Sequence, residues 1–164
     1  MGEMALLKRT QAGDLAVALQ HGYIDLQAVV EWADEQISET VEPDVRLIDL
    51  SLTSGPGEAT GILRSISQDT DFWLILSHFL KRFYDVKTLK PQEALKLAKC
   101  LYELTTNEIA PKEFTALASH WDVIDLAMDG VMGDTNECTQ NLLRDIRAAV
   151  QSKGGPEFDE LYGR

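Results

Sequence analysis

Apolar residues recur at steps of three and four along nearly the whole chain, and strict alternation over more than four residues is hard to find. A period near 3.6 marks helices that bury one face, so its persistence leaves sheet little room. The chain has 164 residues, a span that one hydrophobic core ordinarily serves and that needs no metal or disulfide to hold it. The expected fold is therefore all-α: an irregular multi-helix bundle of about eight short helices, with HEAT-like antiparallel pairs as one possible arrangement. No fixed repeat period is visible, which argues against a regular solenoid. A single helical domain is expected over residues 1–151, with a flexible tail over 152–164.

The punctuation of the pattern places the elements. A first helix is expected over about Gln11–Gln20, with Gly22 just past its end. Asp25 is suited to cap a second, in which Leu26, Val29, Val30, Ala33 and Ile37 form one stripe. Pro43 suits the first turn of a third helix. The residues after it, Val45, Leu47, Ile48, Leu50 and Leu52, are apolar on more than one side, so this helix is expected to be deeply packed. Ser54–Gly57 reads as a loop, Glu58–Ile66 as a fourth helix, and Asp69–Asp71 as caps for a fifth. That fifth helix, with Phe72, Trp73, Ile75, Leu76, Phe79, Leu80 and Phe83, is the most apolar and is expected at the centre of the core. Pro91 opens a sixth helix, which Asn107 would close. Pro111 opens another that runs on toward Leu126. Gly130 and Gly133 frame a loop, and Asn136 is expected to cap the last long helix, whose stripe is Leu142, Leu143, Ile146, Ala149 and Val150.

Charge narrows the function classes. Lys and Arg number 15 and Asp and Glu 27, a net −12, with a pI near 4.6. Such a balance argues against nucleic acid, where affinity comes from neutralising phosphate, and against anionic membrane surfaces. No run approaches the roughly 20 apolar residues of a membrane span. The start, Met1–Thr10, has only the short apolar patch Met4–Leu7, which is not a secretory signal. Cys100 and Cys138 are widely spaced and form no CxxC. A cytoplasmic location without disulfides is expected.

Signatures of chemistry are sparse. Gly55-Pro56-Gly57 is no phosphate loop, because the proline interrupts the run of amides and no lysine follows. His21, His78 and His120 have no second histidine at helical spacing, so no zinc motif is present. His21 reads as a helix C-terminal residue and His78 as a partly buried, hydrogen-bonded one. His120-Trp121-Asp122 clusters a base, an aromatic and a carboxylate, and Cys138 falls in the first turn of a helix, where a thiol is activated. Each lacks an identifiable catalytic partner in the sequence. Asp125, Asp129, Asp134, Asn136 and Glu137 do not follow the EF-hand order. No catalytic residue, metal or cofactor is expected. Acidic residues gather in Glu31–Asp49 and Asp122–Glu137 and basic ones in Arg82–Lys99. An asymmetric field of this kind steers a positively charged partner.

The run Leu19-Gln20-His21-Gly22-Tyr23-Ile24-Asp25, then Val29-Val30-Glu31-Trp32-Ala33-Asp34 and Ile37, resembles the opening of small immunity proteins from bacterial polymorphic-toxin and contact-dependent growth inhibition systems. Val45–Leu52 followed by Gly61-Ile62-Leu63 continues the likeness, which covers roughly residues 16–66. The resemblance implies a non-enzymatic inhibitor that binds a cognate toxin domain, such as a basic nuclease, and blocks its active site or substrate surface. No binding residue carries over by motif. The charge map supplies the candidates: Asp122, Asp125, Asp129, Asp134 and Glu137, with Trp121 as an anchor. Two other readings share these features, a helical adaptor or regulatory protein with a different partner, and a small enzyme using Cys138 or His120.

Overall fold

The computed structural model describes residues 4–106 and 109–162. The α-helices are α1 (Leu6–Gln20), α2 (Leu26–Ser38), α3 (Val45–Leu52), α4 (Pro56–Ile66), α5 (Phe72–Leu80), α6 (Pro91–Thr105), α7 (Lys112–Thr115), α8 (His120–Met128), α9 (Thr135–Ser152) and α10 (Phe158–Tyr162). Short 3₁₀ turns follow α5, α7 and α9. The fold is all-α, and no strand occurs among the described residues. The single domain expected over 1–151 is organised as two compact units, residues 1–79 with 158–164 and residues 80–157.

The first unit is built from small residues at helix contacts. Ala12, Ala16, Ala33 and Ala59 are buried together with Val29, Leu47, Leu50, Leu63 and Ile66. Short side chains let the helix backbones approach, and α1 packs chiefly on α4 while α2 packs on α3. Gly13 shows how close that approach is. A Cβ there would lie 2.5 Å from the Ile75 Cδ1 atom of α5, a distance that overpacks the site. Helix α1 starts at Leu6, ahead of the expected Gln11, and its inner face carries Thr10 and Asp14 as well as alanines. That polar content hides the start of the stripe in the sequence.

Caps set the local boundaries. Asp25 accepts from the Ala28 amide at 3.0 Å and begins α2 as expected. Pro43 lies ahead of α3, whose cap is Asp44, bound to the Arg46 amide at 2.9 Å. Pro56 occupies the first turn of α4, so half of the expected loop is helix. The cap of α9 is Asp134, not Asn136: its carboxylate accepts from the Glu137 amide at 3.0 Å. An ionised carboxylate at that end also complements the helix dipole. The expected closure of α6 at Asn107 lies outside the described residues.

Helix α5 is the most apolar segment, and Trp73, Leu74, Ile75, Leu76, Phe79 and Leu80 are all buried. Helix α3 departs from its expected deep packing. Leu47 and Leu50 are buried, but Val45, Ile48 and Leu52 are 52%, 40% and 78% exposed. The expected flexible tail also departs from its reading. The residues after Gly154 form a 3₁₀ turn and α10, and the Phe158 side chain is fully buried against the His78 ring. Burial of that one aromatic side chain contributes about 2–3 kcal/mol toward ordering the segment.

In the second unit the stripes of α6 (Ala94, Leu97, Ala98, Leu101) and α9 (Leu142, Leu143, Ile146, Ala149, Val150) close over Phe114, Leu117 and Ile124. Two hydrogen bonds tie the segment after α5 to α9: Tyr84 donates to the Gln151 side chain at 2.8 Å, and Gln140 donates to the Lys87 carbonyl at 2.8 Å. Among the described residues no helix is long and apolar enough to cross a membrane.

Candidate functional site: an acidic, apolar-centred surface on α8 and α9

Helix α8 sorts its residues onto four sides. His120, Ile124 and Ala127, spaced four and three apart, are buried. Asp122, Asp125 and Asp129 share the opposite, exposed side at spacings of three and four. Val123 and Leu126 stand on one flank and Trp121 on the other. The helical period alone therefore makes a ridge of three carboxylates with an apolar shoulder on each side.

The Val123 shoulder meets the start of α9. Val123, Leu126, Met132, Gly133, Asp134, Glu137, Cys138 and Asn141 line an open groove of about 250 Å³. Its apolar residues are unusually wet: Val123 is 49% exposed, Met132 66% and the neighbouring Val131 69%. Gly130 and Gly133 take positive φ, 69° and 84°, at little steric cost, and so hold the short α8–α9 connection that presents Val131 and Met132. A groove this shallow lies below the range of pockets that engulf small ligands. Exposed apolar side chains rimmed by charge are instead the layout of a protein contact.

The electrostatics are one-sided. No Lys or Arg stands between Lys112 and Arg144 in the sequence. Asp122, Asp125, Asp129 and Glu137 are exposed and make no side-chain hydrogen bond or ion pair with any described residue. Asp134 differs, because it caps α9 as well as rimming the groove. The structure thus brings Asp134 and Glu137 together with Val123, Leu126 and Met132. It places Trp121 on the far flank of α8, half-buried, with Tyr102 at 5.0 Å between ring centroids and the Lys99 ammonium 5.8 Å from its ring. On that side a cation is already present.

His120, Trp121 and Asp122 do not converge. The His120 ring is 7% exposed, and its Nε2 pairs with Asp145 of α9 at 2.8 Å, while Asp122 faces the opposite way. Cys138 is 6% exposed at the floor of the groove, and Cys100 is buried in the α6 stripe. Burial pushes the Cys100 thiol up to about 12, with Glu103 adding to the rise, so it stays protonated and unreactive at neutral pH. A second histidine–carboxylate pair sits in the first unit. There His78 Nδ1 lies 2.6 Å from Asp14 Oδ2, and its Nε2 lies 3.5 Å from an Asp159 oxygen. Among the described residues no three His, Cys, Asp or Glu side chains converge as a metal-binding group.

Sequence reasoning found the carboxylates and missed the apolar centre. Val131 and Met132 lie between the two glycines that read as framing a loop, and Leu126 reads as the far end of the helix that Pro111 opens. Two bulky apolar residues in a two-glycine turn were the available signal, since such residues are uncommon where nothing covers them. No protein-family model, no curated protein and no solved structure matches this chain.

Proposed function

We propose that this protein is an immunity-type inhibitor. It binds a basic toxin domain, such as a nuclease, and blocks that domain's active site or substrate surface. The observation that carries the reading is the α8–α9 surface, where exposed Val123, Leu126, Val131 and Met132 lie among carboxylates with no competing cation in the segment. The two components do different work. Unpaired carboxylates raise the rate of encounter with a basic protein and repel acidic ones, whereas desolvated apolar anchors slow dissociation. The resemblance of residues 16–66 to immunity proteins supports the same reading from a different part of the chain.

A basic toxin presents Lys and Arg because its own substrate is a polyanion. Carboxylates on α8 and the start of α9 then compete for the same side chains. The partner is a protein rather than a nucleic acid or a membrane, because a phosphate polyanion would meet the unpaired carboxylates of α8 and the start of α9. The ridge Asp122, Asp125 and Asp129 together with Asp134 and Glu137 is assigned to the charged contact, and Trp121 to its margin.

The test is titration of this protein against the purified product of the adjacent upstream gene, alongside growth of cells expressing that product with and without this protein. The expected result is a one-to-one complex that weakens steeply as salt rises, together with rescue of growth. Replacing Leu126 and Met132 by Ser should raise the dissociation rate at least tenfold. Growth arrest in the presence of the folded protein, or unchanged affinity in a variant with all five carboxylates neutralised, would overturn the reading.

A further inference from the structure

Helix α3 is apolar on two opposite sides. Leu47 and Leu50 face the core of the first unit and are buried. Val45, Ile48 and Leu52, spaced three and four apart, form a second stripe that the helical period places directly across from them. These three are 52%, 40% and 78% exposed, and Val41 just ahead of them is fully exposed. A helix apolar all round is normally enclosed on every side. A helix at the surface normally has polar residues where α3 has this stripe.

The stripe is not a defect of local folding. Its helix is firmly built: Asp44 caps it, Arg46 binds back to Asp44 through Nη2 at 2.6 Å, and Arg46 Nη1 donates to the Ser65 carbonyl at 2.8 Å. Ser51 donates to Asp34 of α2. The three exposed side chains are thus held in fixed register on a rigid element, as a contact surface requires.

Charge selects what covers it. Asp49, next to Ile48, is exposed beside the stripe and pairs with no described residue. Over Glu31–Asp49 the one basic residue is Arg46, and its guanidinium is engaged by Asp44. A second copy of this chain would bring like charges into the same contact, on a molecule of net −12. An anionic lipid surface would meet the same repulsion. We infer that the Val45–Ile48–Leu52 stripe is a docking face for a basic amphipathic helix of a partner protein, with apolar residues on the stripe and Lys or Arg against Asp49. This inference concerns a face other than the α8–α9 groove and does not depend on the toxin reading.

The probe is a 14-residue peptide of Leu and Lys with leucines at i, i+3, i+4 and i+7, paired with its Leu/Glu counterpart. Each is titrated into the isotope-labelled full chain and followed by amide chemical shifts, which separate residues 45–52 from residues 121–141. The expected result is saturable shifting of the α3 amides by the Leu/Lys peptide and none by the Leu/Glu peptide. The double variant Ile48→Ser, Leu52→Ser should weaken that binding at least tenfold while circular dichroism remains unchanged, because neither side chain belongs to the core. The charge variant Asp49→Lys should narrow the preference for the Leu/Lys peptide. Equal binding of both peptides, or undiminished binding by the serine variant, would overturn the inference. So would a dimer, or adsorption to phosphatidylcholine vesicles, that is lost in the serine variant, since either would assign the stripe to a different occupant.

Discussion

The two acidic stretches of the chain use their carboxylates differently. In the first unit they are largely tied into the scaffold. Asp14 is 3% exposed and holds His78, Asp34 binds Ser51, Asp44 caps α3 and holds Arg46, and Glu39 pairs with Lys8 at 3.2 Å. In the second unit Asp122, Asp125, Asp129 and Glu137 bind no described side chain. The contrast teaches that local charge density is a poor guide to availability. Both stretches read as acidic, but only the second leaves most of its charge unpaired, and there it surrounds exposed apolar side chains. Carboxylates that stabilise nothing within the molecule repel one another at a cost to stability. A partner's cations would offset that cost.

The strongest challenge to this comparison is to remove a tied carboxylate. Asp14→Ala should destabilise the protein by about 3 kcal/mol, because the Asp14 side chain is only 4% exposed and its loss leaves His78 Nδ1 without its partner where water enters poorly. The corresponding change in the second unit, Asp145→Ala, should cost only about 1 kcal/mol, since Asp145 is 21% exposed and water can replace it at His120. Denaturant unfolding at neutral pH measures both. Equal losses would erase the distinction between the units.

Next in size is the effect of the free carboxylates. Neutralising Asp122, Asp125 and Asp129 to Asn and Glu137 to Gln together should weaken toxin binding by about a hundredfold, or 2.7 kcal/mol, and flatten its salt dependence. The midpoint of unfolding should stay constant or rise slightly. A clear loss of stability would show that these side chains belong to the scaffold after all.

Asp44→Ala should cost about 1 kcal/mol, the ordinary value of an N-cap. Its pH dependence has a definite sign. The hydrogen bond from Arg46 holds the Asp44 carboxyl below its ordinary 3.8, against the opposing effect of burial. The unfolded chain therefore takes up the proton first. The contribution of Asp44 is fully present above the unfolded value and fades as pH falls through the folded one. The stability gap between Asp44→Ala and the parent should hold at neutral pH and narrow below pH 3.8. The smallest effect separates capping from charge at the groove. Asp134→Asn keeps an acceptor for the Glu137 amide and should change stability by only a few tenths of a kcal/mol, whereas Asp134→Ala should cost close to about 1 kcal/mol. If Asn is as costly as Ala, the carboxylate's charge and not its hydrogen bond holds the start of α9.

Much of the fold is legible in the sequence because helix formation is local. The stripes of α2, α6 and α9, the Asp25 cap and the turn at Gly22 all follow from residues within a few positions of one another. The misread boundaries share a cause. Asp134 and Asn136 are both good caps two residues apart, and the structure uses the earlier one, whose carboxylate accepts from the Glu137 amide. Thr10 and Asp14 conceal the first turns of α1 because both are polar on its buried side: Thr10 donates to the Leu6 carbonyl one turn back, whereas Asp14 meets His78, 64 positions away.

The sequence by itself determined the helical class, the acidic charge and the carboxylate ridge on α8, because a 3.6-residue period and a formal charge are properties of neighbouring residues. Tertiary structure alone decided which of two apolar faces turns inward. Helix α3 carries Leu47 and Leu50 on one side and Val45, Ile48 and Leu52 on the other, and nothing local distinguishes them. The same is true of Val131 and Met132 beside the groove. Burial depends on what the rest of the chain brings within contact distance, and a contact between distant residues leaves no trace in the spacing of near ones.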